Sequence, residues 1–357
     1  MLNSEWQTFE LSSMKFDLDK LIRDNVKQLK PYSSARDDFK GDASVFLDAN
    51  ENPFPTEYNR YPDPHQKKLK EKIASIKDIN REQIFLGNGS DEAIDLLIRA
   101  FCEPGQDNVL IPQPTYGMYT VSAEVNAVAI KTIPLTHDFD IDVELTKKTW
   151  DDHTKLLFLC SPNNPSGNLL DLDKIRILLQ EFPGIVIVDE AYIDFTNYDG
   201  FIPLLNNFPN LVILQTLSKA WGLASLRLGM CFASKEIIAV LNKIKPPYNI
   251  NGITQQIVLK SLEEIEQKNK WVAEIIDARE FVENELVKIP AVQIVYPSQA
   301  NFLLVKITNA KSVYQSLLTK GIVLRDRSNV LLCGDCLRIT IGTPVENKML
   351  ISELSNL

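Results

Sequence analysis

Cysteine, histidine and uninterrupted apolar sequence are all scarce in this chain of 357 residues, which has 5 cysteines and 3 histidines. Cys102, Cys160, Cys231, Cys333 and Cys336 are odd in number and scattered, which argues against a disulfide framework and fits reduced thiols. "CGDC" at 333–336 has the spacing of half a zinc or redox site, but no second pair and no histidine accompanies it. Two ordinary core or turn cysteines are expected there. His65, His137 and His153 lack metal-ligand spacing, so no metal is expected. No apolar run approaches the ~18 residues of a membrane span, and the opening "MLNSEWQTFELSSMKFDLDK" has no signal-peptide core. The chain reads as cytoplasmic, with no membrane partner. A net charge of −9 without any basic block offers nucleic acid no electrostatic footprint. Small molecules and other protein chains remain as partners.

What is present is a long alternation of helical and short apolar segments. "IFLG", "NVLIP", "KLLFLC", "IVIVDE" and "LVILQTL" are rich in Val, Ile and Leu and do not alternate cleanly with polar residues. Strands of that kind are buried on both faces, which predicts a mainly parallel sheet covered by helices. Residues 253–289 have helical spacing with almost no breakers and are expected to form one connecting helix. The expected organisation is an N-terminal segment (1–60) packing on a small domain and on a dimer partner, a large domain (61–252), the connecting helix, and a smaller α/β domain (290–357). At this length such a chain buries about three quarters of its unfolded surface, enough to enclose a site.

In an open parallel sheet, ligands bind beyond the carboxyl ends of the strands. Four polar segments follow apolar strands here: "SPNNPSGN", "DEAYIDF", "LSK" and "NGSDEA". Each alone is an adequate turn or cap. Together they bring an amide, a carboxylate, a phenol, an amine and a helix N-terminus to one edge. Gly89, Ser90 and Asp91 open a helix, where free N–H groups and the dipole favour a phosphate. Ser218 and Arg227 offer a hydroxyl and a charge-assisted contact to the same anion. Asp189 can face a protonated ring nitrogen, Asn163 and Tyr192 a phenolic oxygen, and Lys219 can condense with an aldehyde. A ring nitrogen, a phenol, an aldehyde and a phosphate together describe pyridoxal 5'-phosphate.

"SPNNPSG", "VDEAYIDF" and "LSKAWGLASLRLG" resemble the fold-type-I pyridoxal-phosphate aminotransferases. With "LDANENPFP", "RYPDP", "GNGSDEAI", "PTYGMY", "PYNI", "NFLLV" and "LRITIGTPVEN", the resemblance narrows to the histidinol-phosphate aminotransferase family and runs from about residue 30 to 348. Trp221, Ser225 and Ser166 depart from the usual residues without removing a functional group. The resemblance implies a fold-type-I large domain with a smaller α/β domain, Lys219 as the Schiff-base lysine, Asp189 as the ring-nitrogen partner, and Asn163 and Tyr192 on the phenolic oxygen. It implies Tyr116 stacked on the ring, and Gly89, Ser90, Asp91, Ser218 and Arg227 around the phosphate. Tyr61 would reach that phosphate from a neighbouring subunit, so a homodimer with shared active sites is implied. Arg338, Arg325, Tyr32 and Asn50 would bind substrate.

The implied reaction converts L-histidinol phosphate and 2-oxoglutarate to imidazole-acetol phosphate and L-glutamate, a step of histidine biosynthesis. Threonine-phosphate decarboxylase and a broad aromatic or aspartate aminotransferase share the lysine and aspartate motifs and stay open. A non-catalytic ligand sensor on the same fold is a further alternative, disfavoured because the short acidic N-terminus carries no DNA-binding segment.

Overall fold

The computed structural model describes residues 16–31 and 44–356. Seven strands make the larger sheet: β1 (Ile84–Asn88), β2 (Asn108–Gln113), β3 (Ala129–Pro134), β4 (Thr154–Cys160), β5 (Ile185–Asp189), β6 (Leu211–Thr216) and β7 (Leu228–Ala233). Their order is β1-β7-β6-β5-β4-β2-β3. The pairs β2/β3, β2/β4, β4/β5 and β5/β6 are parallel, whereas β7 runs antiparallel to both β1 and β6. The sheet is thus mainly parallel with one reversed strand. The reversal has a local cause: residues 217–227 contain only a short 3-10 turn, Ala224–Leu226, and no crossover helix of the kind a parallel connection requires.

Side chains of the central strands divide by parity. Val186, Val188, Leu211 and Ile213 join one apolar cluster, while Ile185, Ile187, Val212 and Leu214 join the cluster on the opposite face. Helices α1 (Leu18–Leu21), α2 (Asp24–Gln28), α3 (Lys67–Lys77), α4 (Gly89–Phe101), α5 (Met118–Val125), α6 (Val143–Thr149), α7 (Leu172–Glu181) and α8 (Lys235–Ile244) accompany this sheet. In α4 the buried Ala93, Ile94, Leu97, Ile98 and Phe101 follow helical spacing and seal the second face. Asp171 caps α7 through the N–H groups of Asp173 and Lys174, so its apolar stripe of Ile175, Leu178 and Leu179 starts in register on the first face.

Two expectations need correction. Residues 16–28 pack on the large sheet's helices rather than on a small domain. Val26 is buried in the second-face cluster, Arg23 N–H donates to Ala100 O at 3.0 Å, and the Arg23 guanidinium pairs with Glu103 at 2.9 Å. The connecting segment is two helices, α9 (Gly252–Ser261) and α10 (Ile265–Leu286), because they address different cores. Val258 and Leu262 belong to the large-sheet cluster, while Val282 and Leu286 belong to the cluster of the smaller sheet, so the chain re-aims between them. That smaller sheet, formed by β8 (Val292–Val295), β9 (Phe302–Ile307), β10 (Arg325–Asp326) and β11 (Cys336–Thr340), is antiparallel throughout, in the order β10-β11-β9-β8. Helices α11 (Ala310–Thr319) and α12 (Pro344–Ser355) contribute to its core. β8 and β9 are joined without a helix, as a hairpin, whereas β9, α11 and β10 keep the strand-helix-strand alternation, with β9 and β10 parallel to each other on either side of β11. All five cysteines are buried free thiols. Among the described residues no helix is long and apolar enough to cross a membrane.

Candidate active site

The β6–β7 connection builds one wall. Leu217 N–H donates to Leu228 O at 3.1 Å, closing the hairpin so that Ser218 and Arg227, nine positions apart in sequence, stand at its two feet. The N-terminus of α4 docks against the same place. Gly89 N–H donates to Arg227 O at 2.7 Å, and the approach is possible because residue 229 is glycine: a Cβ there would lie 2.1 Å from Ser90 N. Gly89 itself has φ +72°, and a Cβ on it would meet Arg227 Nη2 at 2.7 Å. Exposed N–H groups at a helix start, the Ser218 hydroxyl and the Arg227 guanidinium therefore converge, a donor set for a phosphate. In the present arrangement Asp91 lies among these donors, 3.5 Å from Arg227 and accepting from Tyr116 Oη at 3.1 Å.

Next to this cup is a cavity of about 150 Å³ whose walls include Tyr116, Asn164, Asp189, Tyr192, Thr216 and Lys219. Parity along β5 aims Asp189 at the second face, where Tyr119 Oη donates to Asp189 Oδ2 at 2.6 Å and Ala191 N–H donates to Oδ1 at 3.1 Å. Glu190 turns the other way and accepts from Gln215 and from Phe201 N–H. Burial pushes the Asp189 carboxyl up to about 6, against the pull of Tyr119 and Ala191. Lys219 Nζ lies 5.7 Å from the Tyr192 ring centroid. Its pKa is lowered, first by burial and then by the Arg338 cation, while Asp189 opposes the shift. Burial raises the Tyr192 phenol, which keeps it a proton donor at neutral pH.

The smaller sheet reaches the cavity wall at Asn164. Arg338, on β11, donates from Nη1 to Asn164 Oδ1 at 2.6 Å, and its guanidinium carbon sits 5.2 Å from the Phe302 ring centroid. Its Nε is buried without a partner.

The class I and II aminotransferase family model matches residues 45–354. The histidinol-phosphate aminotransferase of Parabacteroides distasonis is 57% identical over 341 residues, 96% of this chain and 99% of that one. The chain belongs to the histidinol-phosphate aminotransferases. The aminotransferase is also similar to the solved histidinol-phosphate aminotransferase from Clostridium acetobutylicum, with a TM-score of 0.77 and 27% identity, over 84% of this chain and 91% of that one. At 21% identity, the enzyme of that name from Sinorhizobium meliloti, solved in complex with pyridoxal-5'-phosphate, shares the fold, with a TM-score of 0.76 over 86% of this chain and 89% of that one.

Within the aminotransferase, most residues expected from sequence meet: Gly89, Ser90, Asp91, Tyr116, Asp189, Tyr192, Ser218, Lys219 and Arg227 all border one cavity. Asn163 does not. Its amide donates to Pro114 O at 3.1 Å and to Ser166 Oγ at 2.7 Å in a fully packed spot, and the adjacent Asn164 takes the cavity wall instead. Two consecutive asparagines are chemically identical, so only the path of the backbone decides between them. Asn50 and Tyr61 lie apart, in a groove of about 820 Å³ that includes Tyr248, against whose ring Tyr61 stacks at 4.5 Å. Tyr32 lies outside the described residues. Arg325 faces Arg338 directly in the β10/β11 register. The sequence reading missed Asn164, Thr216 and Tyr119. The second tyrosine of "PTYGMY" was the available signal for Tyr119. A larger groove of about 750 Å³ between α10 and the start of α12, lined by Trp271, Ile275 and Phe281, contains none of these groups.

Proposed function

We propose that this chain catalyses transamination between L-histidinol phosphate and 2-oxoglutarate, giving imidazole-acetol phosphate and L-glutamate, with pyridoxal 5'-phosphate as cofactor. The observation that carries the reading is the meeting of Lys219, Asp189 and the phosphate cup in one cavity beneath Arg338. The donor set fits the cofactor: Gly89, Ser90, Ser218 and Arg227 would hold its phosphate, Asp189 its ring nitrogen, Asn164 and Tyr192 its phenolic oxygen, and Tyr116 its ring face. When bound, the cofactor supplies a carbonyl for the amino group and an electron-withdrawing ring.

The protein's own groups do the rest. Asp189, ionised and held by two hydrogen bonds, keeps a ring nitrogen protonated opposite it. Lys219, with its pKa lowered by burial and by the Arg338 cation, gives up its proton more readily than a solvated amine, as a base that removes a proton from substrate Cα requires. Arg338 orients the substrate's anionic end through its guanidinium fork while Asn164 fixes the guanidinium. Because the smaller sheet supplies Arg338 and the larger sheet supplies Lys219, substrate binding draws on both layers.

The working unit is proposed to be a homodimer. Tyr58 and Tyr61 line the groove that holds Asn50 and are exposed, as are Leu47 and Phe54 in the same stretch of chain, which is the expected signature of a face covered by another chain. Tyr61 would then complete the partner's phosphate cup. The single test is one half-reaction: protein loaded with pyridoxal phosphate and mixed with L-histidinol phosphate, without any acceptor. Bleaching of the bound cofactor's visible absorbance with stoichiometric imidazole-acetol phosphate supports the reading. Unchanged absorbance, with carbon dioxide released from threonine phosphate in parallel, makes the chain a lyase.

A further inference from the structure

Three arginines occupy one face of the smaller sheet; Arg338 reaches the cavity wall at Asn164, and both Arg338 and Arg327 act electrostatically on Tyr192 of that wall. Arg325 and Arg338 are directly paired across β10 and β11. Arg327 continues the ladder, its N–H donating to Cys336 O at 2.9 Å, so it lies on the same face as Arg325 and diagonal to Arg338. Like charges directly opposite one another destabilise a sheet, and here no carboxylate offsets them. Among the described residues none of the three forms an ion pair. Asp326, the nearest acid in sequence, alternates to the other face and accepts from Ser328 N–H at 2.8 Å. The Nε atoms of both Arg327 and Arg338 are buried without a partner. Burial and the two neighbouring guanidinium groups lower the pKa of Arg327, so its charge is held against its surroundings.

We infer that Arg327 is a specificity-determining residue that supplies the contact separating a dianionic phosphate monoester from a carboxylate. This rests on the proposed function. A carboxylate has two oxygens and one charge, which a single guanidinium fork satisfies. A phosphate monoester near neutral pH presents three oxygens and close to two charges, which one fork leaves half-paired. Arg338 serves either anion, and Arg327, set back by one residue pair along the ladder, adds donors that only the larger anion reaches. The arrangement addresses the problem this reaction poses, since one half-reaction brings in an alkyl phosphate and the other a dicarboxylate.

The test compares Arg327→Gln and Arg327→Lys with the wild type in the two half-reactions, using L-histidinol phosphate, its singly charged O-sulfate analogue and L-glutamate. Arg327→Gln is expected to lower the ratio of kcat/KM for histidinol phosphate to that for glutamate by roughly 10- to 100-fold, through KM, the range of one charge-assisted contact. It should also erase the wild type's preference for phosphate over sulfate, while Arg327→Lys, keeping charge without the fork, should recover part of both. An unchanged ratio, or an equal loss in both half-reactions, overturns the inference. Should the wild type transaminate glutamate but not histidinol phosphate, the functional reading itself fails. The charge preference of Arg327 is then read from competition by inorganic phosphate in the glutamate half-reaction: weaker competition in Arg327→Gln upholds the role, and equal competition removes it.

Discussion

Asp189 is 2% exposed and the role proposed for it needs a carboxylate, so its environment works against it. Raised from 3.8 to about 6, the buried carboxyl holds its proton longer than the unfolded chain does. Its contribution to stability is therefore complete below about pH 4 and is lost as the pH rises through about 6. In the apoprotein, the unfolding free energy of Asp189→Asn minus that of the wild type should grow by roughly 2–3 kcal/mol between pH 4 and 7. Urea titrations across that range would show it, and a difference flat with pH would mean the carboxylate is solvated. Tyr119 offsets part of the penalty through its 2.6 Å hydrogen bond. Tyr119→Phe should move the Asp189 midpoint above about 6, read from the carboxyl carbon resonance of the apoprotein. The other groups electrostatically coupled to Asp189 are Asp91, Tyr116, Cys160, Glu190, Tyr192 and Lys219, and none is altered by that substitution. That Lys219 and Asp189 come together at one cavity was legible in the sequence, because each stands at or just beyond the end of a buried strand. Asn164 was not, since the choice between neighbouring amides belongs to the loop's path.

Among elements, the β6–β7 hairpin and the start of α4 matter most, and Gly229 is where they touch. The atoms within 2.5 Å of a Cβ at residue 229 are backbone of Gly89 and Ser90, which cannot swing aside as a flexible side chain would. Gly229→Ala is expected to lower stability by roughly 3 kcal/mol or more and to displace the helix N-terminus from the phosphate cup. Thermal unfolding of the apoprotein and the Kd for pyridoxal phosphate would check both, and a variant with wild-type values for each would refute the close contact. The reversed direction of β7 was not readable from its composition, because a buried strand looks alike in either direction. Nor was the break between α9 and α10, since uninterrupted helical spacing does not reveal that one half faces the large-sheet core and the other the small-sheet core.

For the whole molecule, the proposed sharing of sites between two subunits has a distinctive consequence. Lys219→Ala and Tyr61→Ala homodimers should each be impaired, yet mixing the two chains by co-expression should restore about a quarter of wild-type sites, because half the dimers are mixed and each mixed dimer has one intact site. Recovery near zero in stable mixed dimers would place the function of Tyr61 within its own chain. The strand-and-helix alternation, the two-face burial of the central strands and the chemistry at their carboxyl ends were determined by the sequence itself, because they depend on residue type and local spacing. Long-range placement was decided by the tertiary structure. The asparagine that faces the cavity, the tyrosine that steadies Asp189, the three guanidinium groups on one sheet face and the docking of residues 16–28 on the large sheet's helices all depend on backbone paths and strand registers between residues distant in sequence. No local pattern encodes those distances, since they result from how separately formed cores pack against one another.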